Sequence, residues 1–174
     1  MLFRSIENPY YATCNNISSL YVARKYLENA IILDGDQIIC NERILISEFC
    51  RSGYNSVWTF EETDEWLQTV KDGIVTACSR VGGGCGWQLY SISRWTAEDG
   101  RKLKKHLELE FEQKHNTQIY WDDIVMFCHS QEYQLGIFEM QPDDVIEIDS
   151  LEELISIDNN YVKRSEERRV GKEC

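Results

Sequence analysis

Apolar and polar positions divide the chain into three patterns. The first stretch is helical and then continuously apolar. Ser18 or Ser19 can cap a helix running to about Asn29, with Ile17, Leu20, Ala23 and Leu27 along one side. Ala30-Ile31-Ile32-Leu33 then runs without interruption into Asp34-Gly35-Asp36. This predicts a strand at 30–34 buried on both faces, as in a parallel sheet covered by helices. Ahead of it, residues 2–6 read as the end of a strand closed by Asn8-Pro9. The middle of the chain alternates with period two, predicting short strands at 54–59, 66–70, 74–79 and 87–93, with Asp72-Gly73 as a hairpin turn between the second and third. In the last stretch Thr96 and Asp99 open a helix whose Leu103, Leu107 and Phe111 form one apolar stripe. A short helix at 122–127, strands at 135–140 and 145–148, and a final helix behind a Ser150/Glu153 capping box complete the reading. Helix and strand alternate first and antiparallel strands follow, so the expected class is α/β, a mixed sheet with helices on its faces.

Composition narrows the partners. The 174 residues carry a formal net charge of −12. That balance argues against nucleic acid or an anionic membrane surface as a partner. It leaves a phosphorylated substrate open, because a metal ion can supply local positive charge. The last eleven residues, Arg164 to Cys174, resemble the in-frame translation of a sequencing adapter and are set aside from the fold. Residues 1–163 remain, enough for one domain with a real core. The cysteines of that part (Cys14, Cys40, Cys50, Cys78, Cys85, Cys128) show no Cys-x-x-Cys pair and no zinc spacing. Several lie in strand-like stretches, which predicts reduced core thiols in a cytoplasmic protein. No signal peptide or membrane-length apolar segment is visible in the sequence. His106, His115 and His129 have no ligand spacing.

Three clusters bear on chemistry. Asp34-Gly35-Asp36 closes the apolar run at the strand end where open α/β sheets bind ligands. Paired carboxylates there suit a hard cation such as Mg²⁺, and equally a plain Asp/Gly turn. In Thr63-Asp64-Glu65-Trp66, an aromatic face beside carboxylates suits a quaternary ammonium group, and equally a core tryptophan beside solvated acids. Tyr120-Trp121-Asp122-Asp123 again sets aromatics against paired carboxylates. Asp122 reads there either as a second metal ligand facing Asp36 or as a helix cap with Trp121 in the core. Val81-Gly82-Gly83-Gly84-Cys85-Gly86 lacks the Gly-Lys-Ser/Thr ending of a phosphate-cradling loop and reads as a mobile connection between strands.

Together with Asn15-Asn16-Ile17-Ser18-Ser19-Leu20-Tyr21 and Ile146-Glu147-Ile148-Asp149, these segments form an ordered set. Over about residues 6–160 the chain resembles the bacterial CTP:phosphocholine cytidylyltransferases of the sugar-nucleotidyltransferase superfamily. The resemblance implies a Rossmann-like nucleotidyltransferase fold and transfer of a cytidylyl group from CTP to phosphocholine, with pyrophosphate leaving. It implies Mg²⁺ held by Asp36 and Asp122 as metal ligands and catalytic residues. Glu65, Trp66, Tyr120 and Trp121 would bind the acceptor, and Asn16 and Ser18 the nucleotide. The family's opening strand, glycine-rich triphosphate loop and Pro-Lys segment have no counterpart here. The expectation is therefore a domain lacking its first βαβ units, encoded by a gene fragment, inactive by itself and prone to self-association through exposed sheet edges. Two alternatives stay open. One is a nucleotidyltransferase for a sugar 1-phosphate or another phosphorylated amino-alcohol. The other is a non-catalytic fragment.

Overall fold

The computed structural model describes residues 4–162. The predicted adapter-like tail lies outside them. Among the described residues the strands and α-helices are α1 (Ile17–Ala23), β1 (Ala30–Ile32), β2 (Gln37–Ile39), β3 (Gly53–Thr59), β4 (Leu67–Lys71), β5 (Ile74–Ser79), β6 (Gly86–Trp95), α2 (Ala97–Glu108), β7 (Gly136–Glu139), β8 (Val145–Glu147) and α3 (Leu151–Ile157). Six strands form one mixed sheet in the order β5-β4-β6-β3-β7, with β1 also on β6. The ten-residue β6 is its spine. Antiparallel β4 pairs with Gln88 and Trp87 near the start of β6, and antiparallel β1 with Ser93 to Trp95 at its end. β3 takes the other edge and pairs in parallel with β7. The α/β class and mixed sheet read from the sequence are those observed.

Local chemistry explains where most elements begin and turn. The Thr96 side chain accepts from Asp99 N–H and opens α2, and Ser150 and Glu153 cap α3 reciprocally. Asp72 and Gly73 both have positive φ, 52° and 76°, as a tight hairpin of the primed type needs. The parallel join of β3 to β7 depends on Gly53, where an added Cβ would meet Gly136 O at 2.1 Å.

Several expectations are corrected. The apolar run at 30–34 is a three-residue strand, half-buried rather than buried on both faces, and it pairs antiparallel with β6. Residues 4–8 form no strand. The helix after Asn16 ends at Ala23 and tightens to a 3₁₀ turn at Arg24–Tyr26. The 122–127 helix is mostly a π-type turn at Ile124–Cys128. Residues 37–39 form β2, unforeseen, which pairs with β8 in a separate two-stranded sheet. Only two thiols reach the core: Cys14 and Cys78 are half-buried and pack against it, and Cys40, Cys50, Cys85 and Cys128 are exposed.

Two apolar clusters hold the sheet. On one face Ile17, Leu20, Leu27, Leu103, Leu107 and Phe111 from the helical layer meet Tyr54, Trp95 and Trp121. On the other, Val57 and Ile92 pack with Ile44, Met140 and Val145. No helix among the described residues is long and apolar enough to cross a membrane.

Candidate active site

The end of β1, the start of β4, the middle of β6, the 120–122 segment and β8 converge on a cavity of about 240 Å³ lined by Asn16, Asp34, Glu65, Trp66, Leu89, Ser91, Tyr120, Asp122 and Glu147. Four carboxylates lie in this wall, and none of its residues is a lysine, arginine or histidine.

Asp122 is the most constrained group. It is 5 % exposed, and its Oδ1 has no hydrogen-bond partner. Burial pushes its carboxyl up to about 7, the nearby Tyr54 hydroxyl opposes the shift, and the charge of Asp34 adds to it. The Tyr54 hydroxyl is itself buried and unpartnered, so no hydrogen bond of normal geometry closes between the two. Asp34 is raised by burial, eased by Ser91, and raised again by Asp36. Glu147 remains solvent-accessible at the rim, yet partial burial raises its carboxyl. Gln37 offsets this through a 3.2 Å hydrogen bond, and Asp149, Asp36 and Glu65 push it further up. The β2–β8 ladder makes this crowding. It sets Ile148 N–H 3.0 Å from Asp36 O and draws the Asp34-Gly35-Asp36 turn against residues 147–149.

The aromatic side of the cavity is a corner. Trp66 and Tyr120 meet edge to face, with centroids 6.0 Å apart and planes at 85°. Phe127 backs Trp66 at 5.5 Å. The glycine-rich stretch connects β5 to β6, as its sequence suggests, and is tied to the segment that carries this corner. Thr63 and Gly83 exchange backbone hydrogen bonds of 3.1 and 3.0 Å, and a Cβ on Gly82 would lie 1.7 Å from Thr63 O. Only glycine permits that approach, beside the Glu65-Trp66 step. From below, Asp123 accepts Tyr120 N–H at 2.9 Å and is paired with Arg80, whose Nε lies 2.9 Å from Oδ1.

Of the residues singled out in the sequence, Asn16, Glu65, Trp66, Tyr120 and Asp122 share the cavity. Three do not line it. Asp36 sits exposed in the turn beyond Asp34, so Asp34 is the residue that faces Asp122. Trp121 is 2 % exposed and belongs to the core, stacked on Tyr54 at 5.9 Å, because Asn16 Oδ1 accepts its backbone N–H at 2.9 Å and turns the ring inward. Ser18 is buried, and its hydroxyl bonds to Asn15 O at 2.9 Å. Ser91 and Glu147 were missed as site residues, and the metal role was given to Asp36 rather than Asp34. Asp34 was visible in the same Asp-Gly-Asp step. Glu147 and Ser91 had no local signal, because only pairing across the chain brings them in.

No protein-family model matches the chain. It is 29% identical over 159 residues to the 2-aminoethylphosphonate cytidylyltransferase of Lancefieldella rimae, a match covering 90% of this chain and 64% of that protein. It is 26% identical over 150 residues to the choline-phosphate cytidylyltransferase of Streptococcus pneumoniae, covering 86% of this chain and 65% of that one. The chain therefore spans a little under two thirds of the length of these relatives. Among solved structures, the CTP:phosphocholine cytidylyltransferase of Streptococcus pneumoniae superposes with a TM-score of 0.76 at 25% identity, over 87% of this chain and 66% of that one. The inositol-1-phosphate CTP transferase of T. maritima shares the fold, with a TM-score of 0.60 at 12% identity, over 85% of this chain and 60% of that one. The resemblance carried by the ordered motifs is the one these matches show: the chain's relatives are cytidylyltransferases, a kind of nucleotidyltransferase, and it has their fold.

Proposed function

We propose that this chain carries the acceptor side of a cytidylyltransferase that joins the cytidylyl group of CTP to phosphocholine. A phosphate oxygen of the acceptor attacks the α-phosphorus of CTP, the bond to the β-phosphate breaks, and pyrophosphate leaves. The observation that carries this reading is the cavity: an edge-to-face Trp66/Tyr120 corner, four carboxylates and no basic side chain. A trimethylammonium group is bound by aromatic faces with negative charge nearby. A neutral sugar acceptor would leave the acid-lined aromatic corner without a partner. The resemblance would put Asn16 and Ser18 on the nucleotide side; Asn16 lines the cavity, and Ser18 is buried in the turn beside it.

The residues also fit a divalent cation. Asp122 offers a buried oxygen with no partner, and the carboxyls of Asp122, Asp34 and Glu147 are each raised, first by burial and then by a neighbouring carboxylate: Asp34 acts on Asp122, Asp36 on Asp34, and Asp149 on Glu147. An all-oxygen donor set of this kind suits Mg²⁺. Asp122 with Asp34, the carboxylate that faces it, would hold the ion, and when bound it would neutralise charge on the reacting phosphates.

One relative favours a second acceptor. The name of the Lancefieldella protein points to 2-aminoethylphosphonate, whose primary ammonium can hydrogen-bond to the cavity carboxylates as well as face the rings. Trp66→Ala separates the two. It should weaken phosphocholine binding far more than binding of phosphoethanolamine or 2-aminoethylphosphonate. A cation–π contact contributes about 0.5–2 kcal/mol, so the selective loss should be about two- to thirtyfold. Calorimetric titration of the purified chain with each acceptor measures this. Equal losses for all acceptors would make Trp66 a packing residue and remove the support for a quaternary amine.

A further inference from the structure

A second cluster of chemically competent side chains lies outside the cavity. His106 on α2 and His129, just past the Ile124–Cys128 turn, stack face to face with ring centroids 3.9 Å apart and planes within 4°. One nitrogen of each ring is already committed. His106 Nδ1 lies 2.7 Å from the Tyr133 hydroxyl, and His129 Nε2 lies 2.8 Å from Glu110 Oε1. The other two nitrogens turn to one carboxylate. His106 Nε2 is 3.3 Å from Glu132 Oε2, and His129 Nδ1 is 3.3 Å from Glu132 Oε1. One ligand atom from each of the three residues lies within 4.8 Å of the others.

We propose that His106 Nε2, His129 Nδ1 and the Glu132 carboxylate form a binding site for a divalent transition metal of the zinc type. Two imidazoles and one carboxylate are a borderline donor set that suits zinc rather than the hard cations favoured by the acidic cavity. A water completes a tetrahedron around such a three-ligand ion. The outer contacts match those of metal-bound histidines. Glu110 accepts from His129 Nε2–H and fixes the tautomer that leaves Nδ1 free. Glu110 is itself held by Lys114 Nζ at 2.6 Å and Asn116 Nδ2 at 2.5 Å. These partners outweigh its burial and keep it ionised. The two histidines expose 11 % of their side chains and Glu132 56 %, so the ion enters from solvent on the Glu132 side. Parallel rings cannot both aim a lone pair at one ion about 2.0–2.1 Å away, so loading must splay the stack. The bound ion would clasp α2 to the segment that begins with Tyr120 and Asp122. None of its ligands lines the cavity.

The test uses the full chain stripped with chelator, in excess Mg²⁺ to occupy the acidic cavity, with Cys128 replaced by serine. Zinc is titrated while histidine side-chain ¹H–¹⁵N correlations are recorded. His106 Nε2 and His129 Nδ1 should shift together and His115 should not. Zinc affinity should fall at least about tenfold in Glu132→Gln, which alters an exposed side chain and keeps the fold, and in His129→Gln. Cobalt in place of zinc should give tetrahedral visible bands without thiolate charge transfer. Unshifted imidazole nitrogens, wild-type affinity in both variants, or a cluster that answers to pH but not to zinc would each overturn the proposal.

Discussion

Asp122→Asn is expected to stabilise the metal-free chain while removing catalysis. The folded Asp122 carboxyl titrates near 7, against 3.8 for an ordinary aspartate. Below about pH 4 it is protonated in both states and costs nothing. As pH rises towards 7 the unfolded chain has already released its proton while the folded chain still holds it, so stability falls through that window. Above 7 the buried charge imposes a constant penalty, on the order of 4 kcal/mol for a shift of this size. Asparagine carries no charge, so the variant should melt higher than wild type at pH 8 in chelator, and the gap should close near pH 4. In whatever form of the enzyme turns over, the same substitution should lower cytidylyl transfer by about 10²–10³-fold, the usual loss when one preorganised electrostatic group is removed. Thermal denaturation at the two pH values and pyrophosphate release measure the two halves. A variant no more stable at pH 8 would mean that Asp122 is not strained, and one with near wild-type turnover that it is not used.

What could be read from the sequence was what is encoded locally. Asp72-Gly73, Thr96 with Asp99, and Ser150 with Glu153 each specify their turn or cap within four residues, and each is realised. The motif order carried the fold because it needs no single motif to be specific. What depends on distant pairing was not legible. β2 is three residues long and gains its meaning only from β8, more than a hundred positions away. That same pairing crowds Asp36, Glu147 and Asp149, so the acidic rim emerged only in three dimensions. The four-residue apolar run at 30–33 suggested burial on both faces, but periodicity cannot say how many neighbours a strand has, and among the described residues β1 pairs only with β6. His106 and His129 are 23 positions apart on separate elements, and their stacking has no sequence signature.

Tyr120 and Trp121 are adjacent aromatics that no sequence rule separates, and the structure gives them opposite roles. Tyr120 is 50 % exposed at the cavity corner, and Trp121 is 2 % exposed. Trp121 stacks on Tyr54 at 15° and meets Trp95 edge to face at 6.1 Å, joining the 120–122 segment to the two central strands. Trp121→Ala should therefore cost about 3–5 kcal/mol, the range for emptying a large buried aromatic site that can collapse only in part. Tyr120→Ala removes a half-exposed ring and should stay within about 0.5 kcal/mol. The two should differ in binding in the reverse sense. Tyr120→Ala weakens the quaternary-amine acceptor in a chain of unchanged stability, while Trp121→Ala loses acceptor and fold together, because Asp122 follows it directly. Urea denaturation of the two variants, read beside acceptor titration at a urea concentration where both remain folded, tests the assignment. A Trp121→Ala chain as stable as wild type but deficient in acceptor binding would move this tryptophan from the core to the cavity wall.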